Sequence, residues 1–71
     1  MHIGTHIEKI FYEQGRKISW FADNLHCDRR NIYKIFKRES IDTALLTRIS
    51  KLLQHNFFQD LSETLNESEN K

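Results

Sequence analysis

An all-α fold, a bundle of five short helices, is what this sequence predicts, and three observations carry the prediction. Apolar residues recur at intervals of three and four throughout, and β-type alternation is nowhere sustained. The chain contains no proline, so no helix interior loses a backbone donor to one. Small polar residues able to cap a helix stand just ahead of the apolar stripes.

Ile3, Ile7, Ile10 and Phe11 make the first stripe, and this spacing predicts a helix over residues 3–14. Gly15 then supplies the positive-φ position that commonly closes a helix. Ser19 is the expected N-cap of a short second helix carrying Trp20, Phe21 and Leu25, with Ala22 at its close-packing point. Trp20 is expected at the edge of the core rather than as a stacking platform. Asp28 is the expected cap of a third helix whose buried face is Ile32, Ile35 and Phe36. Asp42 caps a fourth, with the broad stripe Leu45, Leu46, Ile49, Leu52 and Leu53. Asn56 with Gln59 resembles a capping box ahead of a last helix holding Phe57, Phe58, Leu61 and Leu65. The domain is thus read as residues 1–65, and the polar run "NESENK", residues 66–71, is expected to fray.

A chain of 71 residues makes one domain, near the lower size limit for folding unaided. Five short helices leave little concavity for desolvating a catalytic group, so no enzyme is expected. Cys27 is the single cysteine, which excludes an internal disulfide and fits a reducing cytoplasm. The apolar runs are too short to span a membrane, and no signal peptide is visible, so a cytoplasmic protein is expected. His2, His6, His26, Cys27 and His55 are possible metal ligands, but their spacing matches no finger pattern. No metal and no cofactor are expected.

The formal net charge is only +1, but its distribution is uneven. Residues 16–38 hold seven Lys/Arg against Asp23 and Asp28, a local balance of +5. Residues 39–71 hold three against six, a balance of −3. The basic charge concentrates in "LHCDRRNIYKIFKR", where Arg29, Arg30, Tyr33, Lys34 and Lys37 oppose the aliphatic stripe. Two helices of about seven and ten residues across a turn of about three have the dimensions of a helix-turn-helix. A polar helix face rich in arginine suits the major groove, because the guanidinium fork matches guanine O6 and N7.

The runs "WFADNLHCDRRNIYKIF" and "IDTALLTRISKLL" resemble the lambda-repressor-like, Cro/C1-type (XRE) helix-turn-helix family of bacterial and phage regulators, over roughly Ile18 to Phe58. The matching positions are Ala22, Leu25, Asp28, Ile32 and Ile35, with the Leu46–Ile49–Leu53 stripe. The resemblance implies sequence-specific binding of double-stranded DNA, with Arg29, Arg30, Tyr33 and Lys34 reading bases and Asn31 near a phosphate. Lys17, Ser19, Lys37, Arg38 and Thr43 are further candidates for phosphate contact; Lys37 and Arg38 serve equally well as partners of the helix dipole. Three positions depart from the family pattern. His26 stands where the turn usually has glycine, which would force it into a left-handed backbone. No glutamine opens the second helix, and Phe36, Lys37 and Arg38 replace the usual glutamate and glycine after the third. The competing reading is a small interaction module, an adaptor or antitoxin-like partner. Phe58 and Leu65 are candidates for a homodimer contact through the last helix, compatible with either reading.

Overall fold

The computed structural model describes residues 1–69. Its five helices are α1 (Ile3–Glu13), α2 (Ile18–Leu25), α3 (Arg29–Phe36), α4 (Thr43–Leu53) and α5 (Phe57–Glu69), and there is no strand among the described residues. The all-α expectation holds, and most boundaries fall within a residue or two. Helical backbone runs on to Glu69, past the expected end of the last helix, while residues 70–71 of the polar tail lie outside the described residues.

The cap chemistry explains where the helices start. Asp28 accepts the Asn31 N–H at 3.0 Å and Asp42 accepts the Leu45 N–H at 2.7 Å, each capping a donor of the first helical turn. Asn56 accepts the Gln59 N–H at 3.1 Å. The second half of that capping box is missing, because the Gln59 side chain turns to Glu63 at 3.4 Å instead. One expected cap is corrected. The N-cap of α2 is Lys17, with extended backbone and no side-chain bond, and Ser19 lies inside the first turn. Ile18 is what moves the boundary: it packs against the core from the first helical position.

The helix ends are closed by other elements. Gly15 takes φ 68°, and His26 and Gln54 take the left-handed region at φ 57° and 51°. His26 therefore adopts the left-handed backbone expected of it. Arg48 of α4 donates to the Leu25 carbonyl at 3.1 Å, and Gln14 donates to the Leu53 carbonyl at 2.6 Å. The first amides of α1 cover the end of α3: Ile3 N–H donates to Glu39 O at 3.2 Å and Gly4 N–H to Arg38 O at 2.9 Å. Gly4 is what allows this approach. A Cβ built there would lie 2.6 Å from Arg38 O and closer still to the Ile35 and Phe36 carbonyls.

Every helix contributes to one core. Ile7, Phe11, Phe21, Ile32, Ile49 and Phe57 are completely buried, and no charged or polar residue is buried among the described ones. Phe11 stacks on Phe21 at 5.1 Å and meets Phe36 at 5.7 Å, which locks α1, α2 and α3 together through large apolar surfaces. Trp20 packs at the core edge as expected, with the Arg16 guanidinium 4.3 Å above its ring. No helix among the described residues is long and apolar enough to cross a membrane.

Candidate nucleic-acid interface

Three residues, His26 to Asp28, join α2 to α3. This connection is fixed from both sides: the His26 N–H bonds the Asp23 carbonyl, the Cys27 N–H bonds the Ala22 carbonyl, and Arg48 holds Leu25. Cys27 is half-buried against the core. Burial first, and then the Asp28 charge, push its thiol above the ordinary range against the opposing pull of Arg48.

On α3, Ile32, Ile35 and Phe36 are buried while Arg29, Arg30, Asn31, Tyr33 and Lys34 are exposed. At about 100° per residue, Arg30 and Lys34 point almost opposite the core stripe. Tyr33 stands beside them, half its surface exposed (49%), its ring edge-on to Phe36 at 6.4 Å. Arg29 and Asn31 lie at the two margins of this face. Lys37, the C-cap residue, continues it toward the helix end. The helix stands between two surface grooves of ≈ 350 and ≈ 370 Å³. Asn31, Lys34 and Arg38 line one, and Tyr33 and Lys37 line the other.

The charge on this face is mainly basic, although Glu8 shares a groove with Tyr33 and Lys37. The carboxylate contacts at ion-pair distance among the described residues both belong to Asp60, where it meets His6 and His55. No acid neutralises Arg29, Arg30, Lys34, Lys37 or Arg38 in an ion pair among those residues. Asp28 is spent on its own helix cap.

The flanking candidates divide. Lys17 is exposed at the start of α2, whereas Ser19 is half-buried. Thr43 is exposed at the first position of α4, but the Asp42 carboxylate already binds the Leu45 N–H there. A phosphate at that end would find only the amides of Thr43 and Ala44 and would meet a like charge. On α5, Phe57 is buried and Leu61 packs against the core, while Phe58 (37%) and Leu65 (60%) are exposed.

Sequence reasoning missed three residues that organise the molecule. Arg48 reads as an ordinary surface charge. Gly4 offered a signal, since glycine inside a helix costs about 1 kcal/mol relative to alanine and needs a reason. Asp60 draws His6 and His55 together, its Oδ2 lying 2.6 Å from each Nε2. The sequence alone offered these histidines only as scattered members of a longer set. His2 instead caps α1, accepting the Thr5 N–H at 3.1 Å, and His26 is exposed in the turn. Compared with known proteins, the chain matches no family model, no curated protein and no solved structure.

Proposed function

We propose that this chain binds double-stranded DNA sequence-specifically, with α3 as the reading helix, as a small transcriptional regulator of the lambda-repressor-like, Cro/C1 type. One observation carries the reading: a capped helix held by a buried apolar stripe presents arginine, lysine and tyrosine outward, with no acid paired to them among the described residues. Such a face suits a major groove, where arginine reads guanine bidentately at about 1–3 kcal/mol of discrimination per pair. The bracing of the α2–α3 connection by Arg48 and the left-handed His26 supports it too, since a reading helix needs a fixed angle to its neighbour.

Arg30, Lys34 and Tyr33 are the central base-reading residues in this proposal, with Arg29 at the margin and Asn31, at the opposite margin, near a phosphate. Lys37, Arg38 and Lys17 serve the phosphates on either side. Thr43 is the weakest phosphate candidate because Asp42 shares its helix end. A single reading helix buries little surface, so a dimer spanning two half-sites about 34 Å apart is the economical arrangement. Exposed Phe58 and Leu65 on α5 offer an apolar contact for it.

Selection from randomised duplexes, followed by titration at several salt concentrations, tests the reading. Affinity should fall with salt with a log–log slope of about −0.9 per neutralised phosphate. Arg30→Ala should relax preference at one base pair, and Lys37→Ala should weaken all duplexes alike. If neither substitution alters duplex affinity, α3 is not the reader. The exposed Phe58 and Leu65 also favour a second reading, a protein-interaction module with little DNA contact. That alternative predicts concentration-dependent mass in solution together with no duplex binding at low salt.

A further inference from the structure

We propose that His6 Nε2, His55 Nε2 and Asp60 Oδ2 form a three-ligand site for a divalent transition metal of the zinc class, fastening α5 to α1. The three ligand atoms come from three places in the chain, the first helix, the α4–α5 connection and the last helix, yet all lie within 4.8 Å of one another. Two imidazoles and one carboxylate are a donor set suited to zinc and its neighbours, whereas magnesium and calcium prefer oxygen donors.

The rings are held in place before any ion arrives. Phe57 is completely buried, and it packs edge-on to His6 at 5.7 Å and against His55 at 4.6 Å. That contact aims both Nε2 atoms at one carboxylate oxygen. The side chains are 22–31% exposed, so a fourth position facing solvent remains for water. Without metal, each Nε2–H donates to Asp60 Oδ2 at 2.6 Å. A tetrahedral ion with ligand bonds of about 2.0–2.2 Å separates neighbouring donors to about 3.3 Å. Loading therefore opens each Nε2–Oδ2 pair by roughly 0.7 Å and displaces the Nε2 proton of each ring, to Nδ1 or to solvent. The ion takes the place of the two hydrogens as the link between the helices.

The test uses the full chain, freed of metal with a chelator and titrated with zinc by calorimetry, with cobalt(II) as a spectroscopic probe. The expected result is binding of one ion per chain, a raised melting temperature, and no displacement by excess magnesium. His55→Gln and Asp60→Asn should each weaken binding at least about tenfold, since even outer-shell changes cost that much. His2→Asn, which keeps a cap acceptor, should leave affinity unchanged. Histidine ring resonances of the unmodified chain provide a readout independent of variant folding: of the four histidines, His6 and His55 should shift on zinc addition. Absence of stoichiometric binding, a shift centred on His2 or His26, or full affinity retained in Asp60→Asn would overturn the proposal.

Discussion

Replacing Gly4 by alanine should destabilise the protein, although helix propensity alone predicts the reverse. Alanine at an ordinary helix position gains about 1 kcal/mol over glycine. Here the added Cβ would stand 2.6 Å or less from three backbone carbonyl oxygens at the end of α3. Carbon–oxygen contacts are comfortable at about 3.3–3.6 Å, so α1 must lift by about 1 Å. Backbone cannot swing aside as a flexible side chain would. The lift stretches the Gly4–Arg38 and Ile3–Glu39 hydrogen bonds, now 2.9 and 3.2 Å, each of which contributes about 1 kcal/mol. It also loosens the packing of Ile3, Ile7 and Phe11, which are at most 3% exposed. Overpacking of a tight core costs about 1–3 kcal/mol. Against the propensity gain, the net loss is about 2–4 kcal/mol. A domain of 60–100 residues loses roughly 4–8 °C per kcal/mol, so the melting temperature should drop by about 8–32 °C. Thermal and urea unfolding followed by circular dichroism measure it. Gly15→Ala is the companion variant, because its site has open space and only a positive φ of 68° to offend. A Gly4→Ala protein as stable as the parent, or more stable, would refute the close-approach account of α1 on α3.

Three further outcomes follow from the same geometry. His26→Gly should raise the urea midpoint by the equivalent of about 1 kcal/mol, because a non-glycine residue at φ 57° is strained; a lowered midpoint would mean the imidazole makes an offsetting contact. Asp28→Ala should cost about 1 kcal/mol by leaving the Asn31 N–H without its cap, and Asp28→Asn should restore most of it; equal losses in both variants would assign the effect to charge instead. Burial and the neighbouring Asp28 raise the Cys27 thiol pKa despite Arg48, so the folded chain holds that proton where the unfolded chain releases it. The associated stability is present below about pH 8.5 and is lost as pH rises through the raised value. Alkylation at about that pH should accordingly be slower in the folded protein than in concentrated urea, and equal rates would contradict the placement.

Much of the fold was legible because its determinants are local. The caps Asp28, Asp42 and Asn56 act on amides three residues away, and the stripe Ile32, Ile35 and Phe36 is set by the helical repeat. The outward basic face of α3 follows from the same repeat. Ser19 misled because a good capping residue competes with core packing, and Ile18 packing drew the helix start back to Lys17. The tertiary structure alone decided the contacts between residues distant in the chain. Gly4 under the end of α3, Arg48 on Leu25, and His6 and His55 on Asp60 carry no periodic signature. Periodicity tells each helix which side to bury; which side chains then meet is settled only when five helices share one core.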